Sequence, residues 1–151
     1  MLKILFVCHG NICRSPMAEF VMKDMVLKAG IAENFEIASA ATSNEEIGND
    51  IYPPVRRILS ENGIAFEHRA ARRMTIAYYD YYDYLIAMDA ANLRNMQRIC
   101  GGDPANKISL LLEHAGAFRD VADPWYTGQF QQTWDDVNRG CTALLEELRT
   151  K

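Results

Sequence analysis

Val7-Cys8-His9-Gly10-Asn11-Ile12-Cys13-Arg14-Ser15-Pro16 decides the reading of the chain. The apolar run Leu2-Lys3-Ile4-Leu5-Phe6-Val7 leads into it, and an apolar-periodic segment from Met17 to Ala29 follows. The pattern is that of a buried strand, a tight loop and a helix. Ser15 is a suitable N-cap, and Pro16 suits the first helical position, where a missing N–H costs nothing. The loop therefore ends on the positive end of a helix, and its successive N–H groups can curl into an anion-binding nest. Gly10 and Asn11 are residue types that tolerate the positive φ such a curl needs. A cysteine opens the loop and an arginine closes it, with five residues between them.

A thiolate is a strong nucleophile, but free cysteine is mostly protonated at neutral pH. Loop amides, a helix N-terminus, Arg14 and a Ser15 hydroxyl would all favour the charged sulfur. The Arg14 fork matches two oxygens of a phosphate. Such a loop can hold a tetrahedral oxyanion in line with the Cys8 sulfur, which is most of what phosphoryl transfer requires of a protein. Other readings stand beside this one. Cys8 and Cys13 are also compatible with plain buried thiols. With His9 they could be metal ligands, although the spacing is not C-x-x-C and no second pair completes a zinc site. A nucleotide loop would need G-x-x-x-x-G-K-[ST], which is absent.

The ten-residue stretch resembles the signature loop of the low-molecular-weight protein tyrosine phosphatases. Further matches follow in order. Ser39-Ala40-Ala41-Thr42-Ser43 and Glu46-Ile47-Gly48-Asn49 resemble the family's second-strand exit and the loop after it. Ala87-Met88-Asp89 with Asn92-Leu93-Arg94 resembles the family's fourth-strand exit, and Asp123-Pro124-Trp125-Tyr126 the loop that carries the general acid. The resemblance covers nearly the whole chain.

It implies a set of roles: Cys8 as nucleophile, Arg14 as phosphate binder and Asp123 as general acid, then base. His9, Gly10, Asn11, Ile12, Cys13 and Ser15 would line the phosphate loop. Ser39 and His68 would support that loop, together with Asn11. Glu46 and Asn49, with Tyr52, would form one rim of the pocket, and Trp125 and Tyr126 the other. On the residues alone, Asp123-Pro124 is also an ordinary turn. Trp125 and Tyr126 are equally core aromatics, His68 an exposed histidine, and Asp89 a simple helix cap. Cys13 either packs or forms a reversible disulfide with Cys8 on oxidation. Glu45 stands where the family's members often have an aromatic, which would disfavour acidic peptides. The cluster Tyr78, Tyr79, Tyr81, Tyr82 and Tyr84 is read as packing or as phosphorylation sites.

At 151 residues the chain is read as one domain, residues 1–151, with room for a real core. Apolar content of 49% and charged content of 24% are those of a soluble globular protein. No apolar run is long enough to cross a membrane. A cleavable leader is not expected at the N-terminus, because its removal would take the loop with it. Cysteines at 8, 13, 100 and 141 do not form a disulfide framework, which suits a cytoplasmic protein. The net charge of −4 argues against nucleic-acid binding. Arg56, Arg57, Arg69, Arg72 and Arg73 are candidates for a local basic pocket or for a solvated surface. No metal or cofactor is implied, and a monomer with weak self-association is expected.

Along the chain, Phe35 to Ala38 reads as a second strand ending at Ser39, and Pro53-Pro54 as the start of a helix that stops at Asn62-Gly63. Ile64 to His68 reads as a short extended run, and Thr75 as the cap of a short helix through Tyr81. Tyr84 to Met88 and Lys107 to Leu111 read as strands, with Asp89 capping a helix over 90–99 between them. A last helix carries Phe130, Trp134, Val137, Cys141, Leu144, Leu145 and Leu148 at helical spacing. Alternating strands and helices, with nearly continuous apolar strands, predict an α/β fold with a parallel sheet covered on both faces. The resemblance implies four strands in the order 2-1-3-4, with the site at their carboxyl ends.

Three rival functions remain. An arsenate reductase of this fold would need two further cysteines near residues 80–95, where the chain has none. A non-catalytic phosphate-binding module would have no use for both a nucleophile and an acid. A phosphatase for phosphoarginine or small phosphoesters is poorly separated by sequence, although the aromatics after Asp123 favour an aryl substrate.

Overall fold

The computed structural model describes residues 1–150. Four parallel strands form its sheet: β1 (Leu2–Cys8), β2 (Phe35–Ala41), β3 (Tyr84–Ala87) and β4 (Ile108–Leu110), in the order β2-β1-β3-β4. The expected order therefore holds. The helices are α1 (Arg14–Lys28), α2 (Pro53–Glu61), α3 (Ile76–Tyr81), α4 (Ala90–Cys100), α5 (Pro124–Thr127) and α6 (Phe130–Arg149).

Side chains alternate across β1. Ile4, Phe6 and Cys8 join the core built with α1, α2 and α6, whereas Leu5 and Val7 join the one built with α3 and α4. Because β1 is central and covered on both faces, its five residues from Ile4 to Cys8 are all buried, which explains the continuous apolar run. Strand β1 delivers Cys8 at its carboxyl end, while the ends of β2 and β3 lie alongside.

Several local expectations need correction. The first helix begins at Arg14, so Cys13 is its N-cap and Ser15 lies inside the first turn. The Ser15 hydroxyl is directed at the Cys8 sulfur instead of capping. Gly10 does not take positive φ; Asn11 does, at 59°. Space is tight at position 10 instead: a Cβ there would lie 3.2 Å from Cγ of Glu46, and that side chain would have to shift. Strand β2 continues through Ser39 to Ala41. The 64–68 run is irregular, so the strand that ends at Ala87 is the third and not the fourth. Thr75 precedes α3 without a side-chain capping bond. Asp89 does cap α4, within a reciprocal capping box with Asn92. Among the described residues no helix is long and apolar enough to cross a membrane.

Candidate active site

The loop between β1 and α1 is shaped from outside. In a trans peptide the C=O and the following N–H point in opposite directions. The Cys8 carbonyl accepts from Thr42 N (3.0 Å), and that of His9 from Ser43 N (3.1 Å) and Ser43 Oγ (2.9 Å). The Ile12 carbonyl accepts from Tyr52 N (2.9 Å), and that of Asn11 from Arg69 Nη2. With these carbonyls held from outside, peptide planarity directs the N–H groups that follow them to the opposite side, the arrangement an oxyanion beside the Cys8 sulfur requires.

Asn11 ties the loop to its support. Its own N–H donates to Cys8 Sγ at 3.3 Å. Its side-chain amide donates to Ser15 Oγ (2.8 Å) and Ser39 Oγ (2.9 Å), and Oδ1 accepts from Arg72 N (3.3 Å). Ser39 in turn donates to Glu19 Oε1 at 2.6 Å, and Lys23 Nζ lies 2.6 Å from Glu19 Oε2. Ser15 Oγ, which accepts from Asn11, has its proton free for Cys8 Sγ, 3.0 Å away. A saturated network of this kind holds a non-glycine residue in a left-handed backbone state.

Arg14 is almost fully enclosed, its side chain 2% exposed. Nη1 donates to Asp89 Oδ2 (2.7 Å) and to the Val121 carbonyl (2.9 Å), and Nη2 lies 3.3 Å from Asp123 Oδ2. Its Nε is buried and has no hydrogen-bond partner among the described residues. An N–H buried without a partner is costly unless a ligand oxygen meets it. Burial works against the charge of Arg14, but the negative groups Cys8, Asp89 and Asp123 outweigh it and push its pKa up. Cys13 is pushed up too, first by burial and then by Cys8 and Asp123, so it stands beside the site as a neutral thiol.

Asp123 caps the short α5, where Pro124 fits the first position. Oδ1 accepts from Trp125 N at 3.1 Å, leaving Oδ2 facing Arg14. A cavity of about 130 Å³ opens above the loop, with Cys8 and Arg14 at its base. Trp125 and Tyr126 wall one side, and His9, Gly10, Glu45 and Glu46 the other. Tyr52 does not line the cavity but props Trp125, its ring centroid 4.7 Å away. Asn49 is a step back from the cavity, donating to Glu46 Oε2 at 2.6 Å. His9 Nε2 lies 2.9 Å from Glu45 Oε2.

Residues 3–151 match the family described as low molecular weight phosphotyrosine protein phosphatase. The chain belongs to this family. It is 36% identical to the low molecular weight protein-tyrosine-phosphatase YfkJ of Bacillus subtilis, over 99% of this chain and 97% of that protein. The crystal structure of YfkJ superimposes with a TM-score of 0.96, covering 99% of this chain and 96% of that one. The human low molecular weight phosphotyrosine protein phosphatase is 36% identical, over 95% and 94% of the two chains. A Drosophila arginine phosphatase is 26% identical with a TM-score of 0.90, over 97% and 98%.

Within this low molecular weight phosphatase fold, Cys8, Arg14, Asp123 and the loop residues come together, and Ser39 reaches Asn11. His68 does not. Its side chain is 82% exposed, and Nδ1 lies 2.6 Å from Asp50 Oδ2, away from the loop. The support expected of it comes from Arg69 and the backbone of Arg72. Glu19 is a further support of the loop, and its one signal in the sequence is a lone carboxylate among Met17, Ala18, Phe20 and Val21.

Proposed function

We propose that this protein is a protein-tyrosine phosphatase that works without a metal, through a phosphocysteine intermediate. The Cys8 sulfur attacks phosphorus as the bond to the tyrosyl oxygen breaks. Asp123 gives its proton to that oxygen. A water then attacks the phosphocysteine, Asp123 takes the proton from it, and the S–P bond breaks to release phosphate and the thiolate. Arg14 and the inward amides balance the charge on the equatorial oxygens. The observation that carries this reading is the buried, unpartnered Nε of Arg14, a residue that lines the same cavity as Cys8 and Asp123. Trp125 and Tyr126 suit an aromatic ring lying against their side of the cavity, so the substrates are phosphotyrosine-bearing proteins, met in a reducing compartment such as the cytoplasm.

Phosphoarginine is the second reading. A structural neighbour is an arginine phosphatase, and Glu45 and Glu46 at the cavity mouth could receive a guanidinium. The deciding assay is hydrolysis of phosphotyrosine, phosphoserine and phosphoarginine peptides in EDTA with a reductant. Release from phosphotyrosine alone, lost in Cys8→Ser and weakened in Asp123→Ala, is expected. Release only from phosphoarginine would transfer the assignment to the second reading, and release from none would end both.

A further inference from the structure

Four loop carbonyls are held from outside, those of Cys8, His9, Asn11 and Ile12. Three of them are held by backbone amides of neighbouring segments, assisted at His9 by the short Ser43 hydroxyl. The carbonyl of Asn11 is different: its donor is the long, charged side chain of Arg69. Asn11 is also the loop residue with positive φ, so its peptide is the one most in need of an external hold.

We infer that Arg69 is a positioning residue for catalysis: by gripping the Asn11 carbonyl it turns the Ile12 N–H toward the oxyanion, and it places a positive charge behind the loop. Three further observations support this. Arg69 Nη1 donates to the Asn49 carbonyl at 3.0 Å, so one planar fork ties the loop to the rim segment. Its own backbone is fixed, with Arg69 N donating to Asp50 Oδ1 at 3.2 Å, and Asp50 Oδ2 takes His68 and Arg56. Among the described residues no carboxylate lies within salt-bridge distance of the Arg69 guanidinium, so its charge is not cancelled by a close ion pair. The arrangement also explains why a half-buried arginine is kept there despite the cost of burial, which pushes its pKa down.

Arg69 borders a solvent-open cavity of about 230 Å³ on the side of the loop away from Cys8, shared with Asn11, Glu19, Ser39 and Arg72. Removing the side chain would leave room for a free guanidinium ion to enter and donate to the same carbonyl.

The inference rests on the phosphatase reading, and the test keeps the two apart because wild type is assayed alongside. Arg69→Ala, Arg69→Gln and Arg69→Lys would be compared for kcat and KM on a phosphotyrosine peptide, for inhibition by orthovanadate, and for Tm. The expected result for Arg69→Ala and Arg69→Gln is a fall in kcat of about 10- to 100-fold, as a misplaced cradle group produces. Orthovanadate inhibition should weaken in parallel, KM should change little, and Tm should stay within a few degrees. Arg69→Lys should fall between them and wild type, since an ammonium cannot span both carbonyls. Guanidinium chloride at millimolar concentration should restore part of the activity of Arg69→Ala, while only inhibiting wild type or leaving it unchanged. Wild-type kcat and orthovanadate inhibition in Arg69→Ala would overturn the inference and leave the phosphatase reading intact. Unfolding of both Arg69→Ala and Arg69→Gln at the assay temperature would overturn it too, by showing that Arg69 holds the fold and not the loop. Inactivity of wild type on every phosphopeptide would remove its premise.

Discussion

Asp89 divides its carboxylate between the fold and the site: Oδ1 accepts the Asn92 amide at 2.7 Å, and Oδ2 accepts Arg14 Nη1, also at 2.7 Å. The residue that starts α4 therefore sets the rotamer of the residue that starts α1. The Val121 carbonyl, 2.9 Å from the same nitrogen, completes the clamp. Arg14 can then present the edge of its planar fork to a ligand without searching for a conformation, the kind of preorganisation that lowers the cost of binding a transition state.

Asp89→Ala should accordingly lose both functions. Loss of the cap costs about 0.5–2 kcal/mol, and the freed Arg14 should lower kcat by about 10- to 100-fold. Asp89→Asn retains a capping oxygen and should recover most of the stability but less of the activity, since the charge facing Arg14 is gone. Thermal unfolding and kcat measured on the two variants separate the effects. Equal losses of activity and stability in both would contradict this division of labour.

Asp123 is held with one oxygen on the Trp125 amide and the other toward Arg14. If it protonates the leaving oxygen, its removal should matter in proportion to the basicity of that oxygen. Asp123→Ala should reduce turnover of phenyl phosphate by about 10²- to 10⁴-fold, and that of dinitrophenyl phosphate far less. A plot of log kcat against leaving-group pKa should be flat for wild type and steep for the variant. Parallel lines would exclude Asp123 as the acid.

Much of this site is readable in the sequence because its principal groups sit at element ends. Cys8 ends an apolar run, Arg14 precedes a helical stripe, and Asp123 and Asp89 stand where α5 and α4 begin. Such positions carry local signals: apolar period, proline and capping residue types. The supports of the loop carry none. Arg69 and Asn11 are separated by 58 positions, and Glu19 and Ser39 by 20. Nothing local distinguishes an arginine that grips a carbonyl from one facing water, so in the sequence Arg69 reads as basic pocket or surface alike, while His68 beside it reads as support. Ser15 departs from its expected cap position for the opposite reason. Its residue type fits a cap so well that the competing claim of the Cys8 sulfur on its hydroxyl is invisible without the fold.

Gly140 lies in the middle of α6, where alanine would ordinarily gain about 1 kcal/mol in helix propensity. Here a Cβ would fall 2.4 Å from Cγ of the fully buried Leu111. Overpacking of this kind costs about 1–3 kcal/mol, so the clash outweighs the propensity. Gly140→Ala should lower Tm by roughly 2–4 °C per kcal/mol lost in a chain of this length, with kcat unchanged. A higher Tm would mean that Leu111 moves aside freely.

Asp50 gathers His68, Arg56 and the amides of Ile51 and Arg69. Burial raises its pKa, but the bonds from His68, Ile51 and Arg69 outweigh burial and hold it down at about 2. Because the folded value lies below the ordinary carboxylate range, the unfolded chain takes up the proton first as pH falls. The stabilisation is therefore fully present above about pH 4 and disappears between about pH 4 and pH 2. Urea midpoints should show Asp50→Ala less stable than wild type at pH 6, with the gap narrowing below pH 4. A gap that widened on acidification would reverse the sign of the linkage.

Cys8 and Cys13 line the same cavity, and both are free thiols. They differ in environment. Cys8 receives the Asn11 amide and faces the Ser15 hydroxyl, whereas burial and the neighbouring negative groups keep Cys13 protonated. Peroxide reacts with thiolates, so oxidation should begin at Cys8 as a sulfenic acid. Cys13 would then attack that sulfur, lose its proton and expel water, closing a disulfide that a dithiol can reopen. Wild type treated with mild peroxide should lose activity and regain it with dithiothreitol, and peptide mapping should find Cys8 joined to Cys13. Cys13→Ser should be inactivated by the same treatment but recover poorly, with sulfinic acid accumulating on Cys8. Full recovery of Cys13→Ser, or sulfinic Cys8 beside an untouched Cys13 in wild type, would show that Cys13 only packs.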